Sequence, residues 1–296
     1  MFSRFQQYIF VILVFTAVYV TQVVSTPVTI SSLEVFPVMV GDTSLNITLE
    51  TFPVPFDCES CELNLSFLNL HENENTSVVA VRNFLYFNGG KLVKFNKGDS
   101  RLVTFVFKNS SYSVDPNRIF TTKGITDSLL TYNPSLGNTE IPDDLVSEVA
   151  GLAASVLSVY DIDAVPVVLA LHNNGGSYGA NSYLPGGPYE NDAAEVYISA
   201  GRDPSDFYYV VDMVYYEYLS AEGREYNVVL QDDASVSDDG SLSYYCGQAH
   251  VNKQYVNFEA VAETGAWGSQ VVVQLDMLQE VKRMLGAVSA SKPVIN

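Results

Sequence analysis

The chain has 296 residues, 47% of them hydrophobic, enough to bury one large core or two smaller ones. Its 34 acidic residues outnumber 15 basic ones, for a formal net charge of -19. A surface this acidic repels nucleic acid and anionic lipid, which excludes both as partners and favours a soluble particle.

Taken in chain order, residues Ile9 to Val20 are apolar apart from Thr16, with Arg4 before them and Val23-Val24-Ser25 after. A short basic start, an apolar run and small residues at a cleavage point describe a secretory signal peptide, residues 1–25. An uncleaved N-terminal anchor is the alternative. Cleavage near Ser25 leaves 14 basic and 34 acidic residues, a net charge near -20. No later stretch approaches the roughly 18 uninterrupted apolar residues of a spanning helix, so no membrane contact is expected after cleavage.

Residues 26–62 read as an N-terminal β lead-in, with alternation in Ser32–Phe36 and Leu45–Leu49 and prolines at 27, 37, 53 and 55. An α/β domain over 63–286 and a tail over 287–296 follow. Leu63 to Leu70 alternates as a strand and stops at His71, and the apolar spacing of Val78 to Leu85 fits a helix. Leu102 to Phe107 reads as a second strand. Pro142-Asp143-Asp144 starts a helix reaching about Val159, with proline and acids in the first turn. The run from Val165 to Leu171 reads as a strand buried on both faces.

Residues 173–192 carry no periodicity, and a loop this long inside a compact domain is usually functional or disordered. Asp203-Pro204-Ser205-Asp206 is expected to cap a helix over about 207–221. Asn227 to Leu230 is strand-like, Asp232 to Asp239 forms an acidic turn, and Tyr255 to Phe258 forms a last strand reaching Glu259. A helix over about 269–285 closes the domain. The alternation implies an α/β fold with a mostly parallel or mixed central sheet and helices on both faces, preceded by the short N-terminal strands.

Four sequons, at Asn46, Asn64, Asn75 and Asn109, fit a secreted glycoprotein. The cysteines Cys58, Cys61 and Cys246 imply one disulfide and one free thiol, with the pairing open. A redox role for Cys58 and Cys61 would need a depressed thiol pKa, and no helix start adjoins them.

Polar groups close four of these segments: His71 with Glu74, Asn117 with Arg118, His172, and Glu259. Right-handed crossovers would deliver such ends to one edge of a sheet, where α/β folds bind ligands. Two imidazoles and one carboxylate with an open fourth position make a catalytic zinc site. Each of these groups also has a structural reading, as helix start, turn former or edge carboxylate. A carboxylate outside the coordination shell can move the proton of the attacking water, and Glu259 suits that role. An arginine beside an asparagine suits a grip on a substrate carboxylate.

The order His71-Glu72-Asn73-Glu74, Asp115-Pro116-Asn117-Arg118, Leu171-His172-Asn173 and Phe258-Glu259 resembles the zinc carboxypeptidase superfamily. Within it, the resemblance is to the succinylglutamate desuccinylase and aspartoacylase branch, over about residues 63–285. It implies Zn2+ held by His71, Glu74 and His172, with Glu259 as general base and acid and Asn117 and Arg118 on a substrate carboxylate. The sequence departs from the family around His71, which Leu70 and Glu72 flank, and after Glu259. Ser110 and Ser111 stand where the family places a carbonyl-polarising arginine, which leaves Arg101 and Lys108 as nearby cations.

The expected function is a secreted zinc metallohydrolase cleaving an amide near a carboxylate, in a peptide or an N-acyl amino acid. The alternative is an inactive secreted glycoprotein that keeps the fold as a binding module. A glycan on Asn75 would crowd Glu74, so that sequon is expected to be empty.

Overall fold

The computed structural model describes residues 30–54, 65–96, 98–137, 140–262 and 267–291. The expected signal peptide, Cys58, Cys61 and Asn64 lie outside them. Among the described residues, eleven strands and six helices carry the fold. Nine strands make one mixed sheet in the order β1-β2-β4-β3-β7-β11-β9-β10-β8. They are β1 (Ser32–Val40), β2 (Thr43–Phe52), β3 (Ser66–Asn69), β4 (Gly90–Asn96), β7 (Val167–Asn174), β8 (Ala193–Tyr197), β9 (Phe207–Val210), β10 (Asn227–Gln231) and β11 (Gln254–Val261). Its centre, β4-β3-β7-β11, is parallel, whereas β2 and β9 join that centre antiparallel. The first two strands are thus the edge of the main sheet, and β1 pairs β2 over its whole length.

Central strands of such a sheet need apolar residues on both faces, because both are covered. Along β7, Val168 and Ala170 enter one core while Val167, Leu169 and Leu171 enter the other. On the first face pack helices α2 (Thr122–Tyr132), α3 (Asp143–Tyr160) and α5 (Leu242–Gly247). On the second pack α1 (Asn75–Asn88), α4 (Met213–Leu219) and α6 (Trp267–Ser291), which runs into the expected tail. Each large apolar side chain that these layers bury contributes about 1.5–3 kcal/mol. No helix among the described residues is long and apolar enough to cross a membrane.

Three sequence expectations change. Val103–Phe107 (β5) is a strand, but it pairs only with Ser110–Val114 (β6) in a separate hairpin. Asn117 and Arg118 therefore sit in a 3-10 turn after a hairpin, not at the end of a sheet strand. The helix expected over 207–221 is instead β9 followed by the short α4. The four residues of β9, Phe-Tyr-Tyr-Val, are buried on both faces, a pattern that a short apolar run shares with a buried helix. The helix cap is Asp212, whose side chain accepts from Val214 N, whereas Asp203 accepts from Ser205 N in a turn. Finally, β7 and β11 continue past His172 and Glu259, so both residues lie within their strands.

Candidate metal centre and cavity

Register does much of the positioning. β7 and β11 run parallel with His172 directly beside Glu259, both facing the first core layer. β3 ends at Asn69, and His71 follows two residues later as the chain turns toward α1. Glu74 then precedes the first turn of α1, so the i, i+3 spacing folds its carboxylate back onto the histidine.

The three side chains are all buried, and their donor atoms converge. His71 Nδ1 lies 2.9 Å from Glu74 Oε1 and 3.2 Å from His172 Nδ1. His172 Nδ1 lies 3.1 Å from Glu74 Oε2. Ligands about 2.0–2.1 Å from one tetrahedral ion are separated by roughly 3.3 Å, so these spacings are those of a coordination shell.

The protonation pattern agrees. His71 Nε2 lies 2.8 Å from Asp115 Oδ1, where a ring N–H can donate to that carboxylate, and Nδ1 faces Glu74. Two imidazole nitrogens and a carboxylate facing one another need a proton or a metal cation between their lone pairs. His172 Nε2 is buried and has no hydrogen-bond partner in the protein, and Glu74 Oε2 has only the contact with His172 Nδ1. Burial pushes the Glu74 carboxyl up, but the two imidazoles outweigh it and hold it at about 2. Burial lowers His172, and the Glu74 charge more than reverses that. The donor set, two nitrogens and one oxygen, fits zinc.

Asp115 was not among the expected site residues, although it begins the motif that contains Asn117 and Arg118. It fixes the ring of His71 and is itself fixed, accepting from Asn117 N at 2.9 Å while its own N–H donates to Ser128 Oγ. Burial opposes its ionisation, and the bond from His71 reverses that, keeping the carboxyl well below its usual range. Carboxylates in this position orient a metal-ligating histidine. Arg101 spans both acids, with its guanidinium nitrogens 3.4 Å from Glu74 Oε1 and 3.1 Å from Asp115 Oδ2. Lys108, the other cation near the motif, pairs with Asp144 at the surface.

Glu259 is 7% exposed and accepts from Asn257 Nδ2 at 3.1 Å and Asn174 Nδ2 at 3.4 Å. Burial pushes its carboxyl above the ordinary range, and His172 draws it partly back. Asn173 serves the scaffold, accepting from Ser77 N at the start of α1.

These groups open into a cavity of about 400 Å³ that also reaches Asn117 and Arg118. Asn117 Oδ1 accepts from Leu242 N, and Arg118 NH1 pairs with Asp239 Oδ2 at 2.6 Å. The unpatterned loop 173–192 forms one wall through Tyr178, Tyr183 and Tyr189. Burial pushes the hydroxyls of Tyr178 and Tyr183 well up, so both remain protonated donors. The sheet thus gathers His71, Glu74, His172 and Glu259 at one place, and loops add Asn117 and Arg118. The acidic turn 232–239 supplies Asp239, for which the sequence carried no site signal. Cys246 is buried, and its thiol is free.

Fold and site define an α/β protein with a buried two-histidine, one-carboxylate centre facing a polar cavity. No family model and no curated protein matches the sequence. Among solved structures, the chain is similar to a metallo-carboxypeptidase from Burkholderia cenocepacia, at 9% identity over 92% of this chain and 69% of that one, with a TM-score of 0.42. It is similar to a murein-tripeptide amidase from Escherichia coli O157, at 14% identity over 84% and 92%, with a TM-score of 0.39. An aspartoacylase family protein from Mesorhizobium loti is similar at 11% identity over 83% and 67%, with a TM-score of 0.32.

Proposed function

We propose that this protein is a zinc-dependent hydrolase that cleaves an amide next to a substrate carboxylate. The observation that carries this reading is the convergence of His71, Glu74 and His172 within 2.9–3.2 Å, in a cavity that also holds a buried carboxylate, Glu259. His71 Nδ1, His172 Nδ1 and Glu74 would hold the ion. Zinc at this place supplies Lewis acidity, bringing the pKa of water to about 7 and polarising a carbonyl.

The chain's own groups do the rest. Glu259, outside the ligand set and raised by burial, accepts the proton of the attacking water and returns it to the leaving amine. Asp115 holds His71 in the tautomer that presents Nδ1. Arg101 lies beside Glu74, where a guanidinium can neutralise developing charge on the carbonyl oxygen, the role for which the motif offered no residue. Arg118 and Asn117 bind the substrate carboxylate, with Leu242 N holding Asn117 Oδ1 so that Nδ2 remains the donor. A peptide C-terminus and an N-acyl amino acid both present such a carboxylate.

The apolar start of the chain supports a secreted protein cleaved near Ser25, or one kept in the lumen of the secretory pathway. The sequon residues Asn46, Asn75 and Asn109 are exposed. Asn75 opens α1 beside Glu74 and donates to Asp99 Oδ1, so we expect it to carry no glycan. The test is metal analysis of purified protein together with hydrolysis of N-acyl dipeptides. About one zinc per chain and loss of hydrolysis in Glu259→Gln support the proposal. Zinc-free active protein, or full activity in that variant, sinks it.

A further inference from the structure

Residues 98–102 lie between β4 and β5 in neither helix nor strand, yet they deliver Arg101 to both Glu74 and Asp115. The arginine side chain is 49% exposed. A long side chain on an irregular, half-exposed segment has many rotamers open to it. The backbone beneath must be held if the guanidinium is to act at one fixed point. Asp99, two residues earlier, provides a hold. Its N–H donates to Glu72 Oε2 at 3.1 Å, and its Oδ1 accepts from Asn75 Nδ2 at 3.1 Å. Ser100 Oγ then accepts from Leu102 N at 3.2 Å, which curls the chain around Arg101.

Both partners of Asp99 belong to the turn that carries the metal ligand Glu74, and they flank it in sequence. That turn is closed by Glu74 N, which donates to His71 O at 3.1 Å. The arginine's segment is thus fastened to the ligand turn itself, so guanidinium and ligand keep one spacing. The backbone is bent to do this. Asp99 has φ +59°, a left-handed conformation that aspartate tolerates better than most residues, directly after Gly98 at φ +87°. Strain of this kind persists where the surroundings over-determine it, and it collects at sites with a task.

We infer that Asp99 is a positioning residue: clasped by Glu72 and Asn75, it sets Arg101 at the edge of the metal centre, where the guanidinium meets a substrate carbonyl oxygen. The inference deepens the hydrolase reading, on which the role of Arg101 at the carbonyl rests. The clasp also gives the Asn75 amide a task other than carrying a glycan.

The sign of a change in zinc affinity separates positioning from simple support of the ligand turn. A guanidinium 3.4 Å from Glu74 Oε1 opposes the arrival of another cation. Arg101→Ala should therefore bind zinc about three- to tenfold more tightly, measured by chelator competition on the full chain. Asp99→Ala frees the arginine to swing away, so zinc should bind more tightly there too, by a smaller factor. The double variant should match Arg101→Ala, because the aspartate acts through the arginine. Weaker zinc binding in Asp99→Ala, or additive effects, overturns the inference. On N-acyl dipeptides, Arg101→Ala should lose about 10²–10³ in kcat, the size of a removed oxyanion donor. Asp99→Ala should lose at least about tenfold in kcat with KM little changed. Asp99→Asn keeps the acceptor and tolerates the same φ, so it should recover most of that loss. Asp99→Gly relieves the φ without accepting, and it should not recover it. Full kcat in Asp99→Ala, or equal recovery by glycine, refutes the positioning role. Zinc-loaded parent that hydrolyses nothing refutes the hydrolase reading, and the placement of Arg101 by Asp99 then stands or falls on the zinc affinities.

Discussion

The metal centre and the Arg118–Asp239 arm share one cavity, yet the chain holds them by different means. His172 and Glu259 are placed by sheet register, and His71 by the end of a third parallel strand. Arg118 and Asp239 are placed by two loops fastened to each other. Phe120 N donates to Gly240 O at 3.0 Å, Thr121 Oγ1 to Asp238 Oδ1 at 2.6 Å, and Leu242 N to Asn117 Oδ1 at 3.3 Å. Register is set by many backbone bonds and a buried face on each side, so it tolerates little movement. A fastening of a few bonds between loops can be loosened by one substitution. Chemistry is therefore expected to fail by loss of a group, and selectivity by movement of one.

The largest effect tests the first half of that contrast. His172→Ala should abolish zinc retention and hydrolysis together, read as metal content and as activity after purification, because three protein ligands become two. Chelation of the unaltered protein should do the same, with added zinc restoring activity. A zinc-loaded, active His172→Ala protein would break the assignment of the centre. Next comes Glu259→Gln, which keeps the register and the metal while removing the proton acceptor. Its kcat should fall by about 10²–10⁴ at unchanged zinc content.

The same variant has a second, opposite readout. The Glu259 carboxyl is raised in the fold, so it costs stability once the pH exceeds the value at which it would ionise in the unfolded chain. The neutral amide removes that cost, and zinc-free Glu259→Gln should melt higher than the zinc-free parent at pH 7. Lower melting would mean that the carboxylate is stabilised where it sits. A smaller effect is expected one step out from the ligands. Asp115→Asn leaves all three ligands but weakens the hold on the His71 tautomer, and zinc affinity should drop about 10–100-fold. Competition with a chromophoric chelator measures it directly, and an unchanged affinity would remove Asp115 from the centre.

The same contrast explains what could be read from the sequence. His71, Glu74, His172 and Glu259 follow apolar runs whose length and bounds mark buried strands, so their convergence follows from topology alone. Two of the runs continue past the residue of interest, because a polar side chain aimed into a cavity does not end backbone pairing. Asp115 was visible as a motif member, yet its role depends on a 2.8 Å contact with a residue 44 positions away. Arg101 reaches the centre from a segment with no pattern of its own. Asp239 sat in a stretch that composition describes only as an acidic turn. The sequence points to a helix where β9 stands, because four aromatic and β-branched residues, buried on both faces, carry no period that separates helix from strand.

Gly240→Ala gives the sharpest test of the loop-held half. Gly240 has φ +74°, where a side chain costs about 1–2 kcal/mol. An added Cβ would stand 2.4 Å from Gly124 Cα and 2.6 Å from Arg118 O, backbone atoms of helix α2 and of the 3-10 turn that precedes it. Neither can yield as a flexible side chain would, so the two loops must part. Asp239 is the residue before Gly240, and it must shift from Arg118 with them. The sheet-held ligands are untouched, so zinc content should match the parent while the KM for an N-acyl dipeptide rises several-fold. Double substitution with Asp239→Asn should then change KM little further, because the glycine acts through that aspartate. Loss of zinc in Gly240→Ala would show instead that loops and sheet hold the site as one unit.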